Sequence, residues 1–146
     1  MIKDSEKSPH QACLAKQTAI KELFQNLPAD LRYEKIIALG KSLPPLDLVY
    51  KTPENLVYGC QSQMYLYASH EDGKLFFKSD SDALISKGMA CLLIKIYNGE
   101  SPETVLTCPP LVLEETGILK SLSPTRANGL QSLYLKMKQY ALKFLS

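Results

Sequence analysis

Between Ala83 and Tyr97 the chain places Ala83, Leu84, Ile85, Met89, Ala90, Leu92, Leu93, Ile96 and Tyr97, so that a helix over this stretch is apolar around most of its circumference. Such a helix cannot lie on a surface; it must be covered from several sides and forms the centre of a fold. Ser81 or Asp82 is placed to cap its start, and Asn98-Gly99 ends it. A chain of 146 residues, 45% hydrophobic and 22% charged, is long enough to supply that cover as one globular domain without disulfides or a structural metal.

The segments available to cover it can be read in turn. Residues 1 to about 12 are polar and are expected to be loose. Cys13, Leu14, Ile20, Leu23 and Phe24 then predict a helix ending before Pro28. Asp30 is placed to cap a second helix, with Tyr33, Ile36 and Ile37 on one face and Gly40 followed by Leu43-Pro44-Pro45 as its stop. Residues 44–59 hold three prolines and read as a long surface loop, with a short strand expected at Leu56-Val57-Tyr58. Met64-Tyr65-Leu66-Tyr67-Ala68-Ser69 and Lys74-Leu75-Phe76-Phe77-Lys78 are β-prone and joined by His70-Glu71-Asp72-Gly73, which predicts a hairpin.

Ser101-Pro102-Glu103 and Ser123-Pro124-Thr125 each put Ser at an N-cap and Pro at the first helical position, marking two more helix starts. The second opens a terminal helix with Leu130, Leu133, Met137, Ala141 and Phe144 on its buried face. Helices on both sides of a hairpin, without alternation of strand and helix, predict an α+β fold with a small antiparallel sheet packed against several helices.

Several function classes are disfavoured. The opening residues lack the apolar core of a signal peptide and no segment has the apolar length to span a bilayer, so a soluble, cytoplasmic protein with no membrane partner is expected. The net charge is +2; beyond Glu115 there are five basic residues and no acid, leaving 12 basic and 15 acidic residues before it. That basic end reads as the solvated face of the last helix, because no nucleic-acid motif accompanies it. No C-x-x-C occurs, His10 and His70 fall in a tail and a turn, and no phosphate loop or nucleophile elbow is present. No metal and no cofactor of the chain's own are expected.

The four cysteines, in the reducing compartment expected for such a chain, read as free thiols. Cys91 lies within the apolar helix, where a thiol packs as a hydrophobe. Cys13 falls in the N-terminal stretch expected to be mobile, and Cys108, before Pro109-Pro110, is expected to be more exposed. Cys60 stands in Gly59-Cys60-Gln61-Ser62-Gln63, between the loop and the first strand. Gly59 allows a tight turn or close approach and the following N–H groups can face a negative sulfur, but by themselves these residues favour an inert, half-buried thiol at a strand edge. Arg126 falls in the first turn of the terminal helix, where the dipole disfavours a cation. Asp80 and Asp82 precede the central helix and read first as caps; either is a partner for Arg126, as is an anionic sulfur.

Four blocks resemble, in order and spacing, the SufE-like sulfur acceptors, including the related CsdE type: Ile37-Ala38-Leu39-Gly40-Lys41-Ser42-Leu43-Pro44, Gly59-Cys60-Gln61-Ser62-Gln63, Asp80 to Gly88, and Leu122 to Leu130. The resemblance implies a SufE/IscU-like fold over residues 20–146, with residues 1–19 as an extension. It implies Cys60 as the acceptor cysteine, with Gly59, Gln61 and Ser62 around it and Asp82 and Arg126 at positions associated with the acceptor loop and partner contact. Tyr65 stands where a tryptophan is usual and Ser79 where a glycine is common, which bears on partner specificity.

The function implied is that of a sulfur-transfer accessory protein. Cys60 would take persulfide sulfur from a pyridoxal-phosphate-dependent cysteine desulfurase (SufS-like or CsdA-like), stimulate that enzyme, and pass sulfur to an iron–sulfur scaffold or another recipient. The pyridoxal phosphate belongs to the partner. The alternatives are an IscU-like metal or iron–sulfur scaffold using Cys60, Cys91 and Cys108, and a docking activator that receives no sulfur.

Overall fold

The computed structural model describes residues 10–145. Its order is α1 (Gln11–Phe24), α2 (Ala29–Ser42), two single 3-10 turns (Leu48–Tyr50, Pro53–Asn55), β1 (Met64–Glu71), β2 (Lys74–Ser81), α3 (Leu84–Tyr97), α4 (Pro102–Thr107), α5 (Val112–Glu115), a 3-10 turn (Leu119–Ser121) and α6 (Pro124–Leu145). This is the α+β fold expected: six helices and a two-stranded antiparallel sheet packed against them.

The hairpin follows from its turn. Asp72 and Gly73 both have positive φ, 50° and 77°, the twist that a two-residue connection needs to match its strands. Pairing runs from Glu71–Lys74 at the turn to Met64–Ser81 at the open end, so that β1 takes in His70 and Glu71 and β2 continues past Lys78, beyond the β-prone runs. Alternation then buries Met64, Leu66 and Ala68 on β1 and Leu75, Phe77 and Ser79 on β2. That face meets α3 and α6.

Helix α3 is central, with Ile85, Met89, Ala90, Leu92, Leu93, Ile96 and Tyr97 all buried. Asn98 and Gly99, the latter at φ 82°, end it as expected. Its start differs: Ala83 occupies the N-cap, Ser81 is still the last residue of β2, and neither Asp80 nor Asp82 caps the helix. Asp30 likewise sits inside the first turn of α2 behind Pro28. The stop expected at Gly40 followed by Leu43-Pro44-Pro45 falls at Leu43, which is the C-cap, and Gly40 itself lies inside the helix. Helix α2 runs on to Ser42, and a Cβ at Gly40 would overlap the Leu84 carbonyl of α3, as one at Gly88 would overlap the Ile36 carbonyl of α2. The two glycines let the backbones of α2 and α3 come into direct contact where the helices cross.

Helix α1 lays Cys13, Gln17, Ile20 and Phe24 on the core. The first nine residues, expected to be loose, lie outside those described. Cys13, expected to be mobile, is fully buried, and Cys108 is buried too. The amide of Gln17 explains how that end closes: it lies 3.8 Å from both sulfurs, donates to Pro109 O at 3.1 Å and accepts from Val112 N at 3.1 Å. Ser101 caps α4 as expected, and Ser123 Oγ accepts from Arg126 N at the start of α6. No helix among the described residues is long and apolar enough to cross a membrane.

Candidate functional site

The segment from Leu43 to Gln63 crosses the open end of the hairpin and is held there by specific bonds and by the buried Leu43, Leu46 and Val57. The strand expected at 56–58 reduces to a single bridge, Leu56 with Tyr65, with Val57 N donating to Met64 O at 2.8 Å. Asp80 holds the far part: Leu46 N donates to its carboxylate at 3.0 Å, Ser81 N at 2.9 Å, and Lys51 and Lys87 approach at 3.2 and 3.8 Å. Burial by itself would raise the Asp80 pKa, but the Leu46 amide, Lys51 and the Ser81 amide outweigh it and hold the carboxyl below its usual range. Asp82 holds the near part, accepting from Gln63 N at 3.1 Å while its own N–H donates to Gln63 O at 3.3 Å.

Cys60 sits between these ties, at the mouth of the sheet and against the start of α6. Of the four cysteines it alone is not buried. Gly59 makes the turn into it at φ 90°, and a Cβ there would lie 2.5 Å from Ser132 Oγ of α6. The Cys60 thiol donates toward Gly129 O at 3.5 Å and lies 4.0 Å from Met64 Sδ. Gly129 has no side chain to interpose, since a Cβ there would already be 3.4 Å from the sulfur. Burial raises the Cys60 pKa and the Arg126 charge lowers it, with burial the larger effect, so the tucked sulfur is held as a thiol.

Arg126 does not pair with Asp80 or Asp82; among the described residues it makes no ion pair. Its Nη1 donates to Ser62 Oγ at 3.2 Å and Ser86 Oγ at 3.0 Å, and those hydroxyls lie 2.5 Å apart. Ser81 Oγ donates to Gln63 O at 2.8 Å and lies 3.3 Å from Ser62 Oγ. Gln61 is exposed and takes no part in this set. The structure thus brings Gly59, Cys60, Ser62, Asp82 and Arg126 together around one loop. Sequence reasoning passed over Ser86, Gly129 and Ser132. The one signal for Ser86 was a hydroxyl beside Ile85 on the mostly apolar α3. Tyr65 and Ser79, the departures from the family pattern, meet each other: Ser79 Oγ donates to Tyr65 O at 2.6 Å.

The arrangement can shelter one thiol within electrostatic reach of the Arg126 cation and release it by opening the short segment from Gly59 to Gln63. Among the described residues no group of three or more His, Cys, Asp or Glu side chains is placed to hold a metal ion.

Comparison with known proteins places this geometry. The family model described as SufE, Fe-S metabolism associated domain, matches residues 18–141. An uncharacterized SufE-like protein of Synechocystis sp. is 41% identical over 113 residues, covering 77% of this chain and 71% of that one. The cysteine desulfuration protein SufE of Plasmodium falciparum is 30% identical over 131 residues, covering 85% of this chain and 53% of that one. The solution structure of a hypothetical protein from Thermus thermophilus superposes with a TM-score of 0.73 at 30% identity, covering 89% of this chain and 96% of that one. The matched span takes in both strands, the Cys60 segment and Arg126, and the chain belongs to the SufE family of Fe-S metabolism associated domains.

Proposed function

We propose that this protein is a sulfur acceptor in which Cys60 receives persulfide sulfur from a cysteine desulfurase and hands it on for iron–sulfur cluster assembly. The observation that carries the reading is the placement of Cys60: the one cysteine outside the core, on a loop closed by a few polar bonds, in a chain of the SufE family. The name of the Plasmodium falciparum relative, a cysteine desulfuration protein, supports the same chemistry.

The step is transpersulfidation. Cys60 gives up its thiol proton, and the thiolate attacks the outer sulfur of the desulfurase cysteine persulfide. One sulfur–sulfur bond forms as the donor bond breaks, the donor cysteine leaves as thiolate, and no external oxidant or reductant is needed. In the closed loop burial and the facing Gly129 carbonyl both favour the protonated thiol. Opening the loop on docking would remove both and ready the nucleophile only where a donor waits. Ser62 and Asp82 close the loop, Gly59 shapes its turn and Arg126 supplies the cation.

The test is intact mass after incubation with a cysteine desulfurase and cysteine. One added sulfur is expected, mapped to Cys60, absent in Cys60→Ser and retained in Cys91→Ala and Cys108→Ser. An undiminished adduct in Cys60→Ser, or none in the wild type with several desulfurases, refutes the assignment. A Cys60→Ser variant that still stimulated the desulfurase fully would favour the activator reading. A scaffold would instead bind an equivalent of zinc or iron through Cys60.

A further inference from the structure

We propose that Ser86 is a positioning residue for Cys60: its buried hydroxyl is the fixed half of an anchor, shared with Ser62, that holds the Arg126 guanidinium against the loop that carries the sulfur. This rests on the reading of Cys60 as the reacting thiol and adds a residue that the family match does not assign.

The geometry is specific. Ser86 is fully buried, on the first turn of a helix whose other inward residues are apolar. A serine there loses hydration and gains nothing unless its hydroxyl is bonded. Its bonds lead outward to the site: Arg126 Nη1 at 3.0 Å and Ser62 Oγ at 2.5 Å. The two hydroxyl oxygens are neighbours on one side of Nη1, so a single N–H is shared between Ser62 and Ser86 and that nitrogen is held at one place. Ser62 belongs to the segment that must move if Cys60 is to reach a donor. Ser86 belongs to α3, locked against α2 by the Gly40–Gly88 crossing two residues farther on. When the loop opens, the contact to Ser62 breaks and the contact to Ser86 stays. The cation is then already in place when the sulfur returns.

The test needs no desulfurase: the pH profile of Cys60 alkylation by iodoacetamide, followed by mass. Its midpoint reports ionisation of the thiol and its high-pH plateau reports exposure, so loosening of the loop and loss of the cation are read separately. Ser86→Ala is expected to raise the midpoint by about half to one pH unit, less than a whole hydrogen bond to a charged partner because Ser62 still holds the same nitrogen. In an Arg126→Ala background the same change is expected to move it no further, because Ser86 acts through Arg126. Ser86→Thr and Ser86→Val, equal in shape and differing by the hydroxyl, keep the test open should Ser86→Ala fold poorly: Thr is expected to match the wild-type midpoint and Val the shifted one. An unmoved midpoint in Ser86→Ala, an equal shift without Arg126, or no difference between Thr and Val overturns the proposal. Wild-type Cys60 that accepts no sulfur would defeat the function proposed above while leaving this profile unchanged.

Discussion

Gly59→Ala should loosen the grip on Cys60 rather than the fold. At φ 90° the backbone is in the region that a side chain disfavours by about 1–2 kcal/mol. The new Cβ would also lie 2.5 Å from Ser132 Oγ, but that is the end of a partly exposed, rotatable side chain, and turning it aside adds about 0.5 kcal/mol. The closed loop should therefore lose about 2 kcal/mol, which shifts closed against open by about 20- to 30-fold. The bonds that secure the segment are side-chain contacts and a single paired exchange with Asp82 rather than a continuous ladder, so most of the strain can be relieved by opening it. Iodoacetamide labelling of Cys60 at fixed pH should then speed up by about tenfold or more, while the urea midpoint falls only modestly. Gly73→Ala is the control: φ is 77°, nothing lies within 4 Å of its Cβ, and it sits at the far end of the hairpin. It should lower global stability by about 1–2 kcal/mol and leave Cys60 labelling unchanged. Equal loss of global stability in the two variants, with no acceleration at Cys60 in Gly59→Ala, would refute the reasoning.

Two further outcomes test the frame that holds the site. Gly88→Ala should cost about 3 kcal/mol or more by urea denaturation, since the Cβ would meet the Ile36 backbone rather than a movable side chain; a change below about 1 kcal/mol would mean α2 and α3 separate freely. Asp80→Ala should destabilise by about 2–4 kcal/mol at neutral pH, less than a fully buried pair because Lys51 and Lys87 are partly exposed. The sign with pH follows from a folded carboxyl held below its ordinary value of about 3.9. The contribution is whole above that value and is lost as pH falls through the lower folded one. Stability curves of wild type and Asp80→Ala should converge on acidification below about pH 4, and parallel curves would contradict the role given to Asp80.

Part of this fold follows from interactions within a few neighbouring residues, and that part is readable without coordinates. Asp72-Gly73 can turn only one way between two β-prone runs. Asn98-Gly99 must end the central helix, and Ser101-Pro102 and Ser123-Pro124 begin helices for reasons contained within four residues. The α+β class and the segment carrying Cys60 were legible for the same reason. Tertiary structure decided which residues meet. Gly40 had the composition of a helix stop, yet α3 lies close enough to make it a crossing point. Asp80 and Asp82 had the position of caps, but the 43–63 segment passes over them and uses both carboxylates as its ties. Cys13 and Cys108 are covered because Gln17, distant from Cys108 in sequence, reaches both. Arg126 finds hydroxyls 64 and 40 residues away, an arrangement no local rule contains, because a hydrogen bond depends on ångström placement that only the packed helices and hairpin supply.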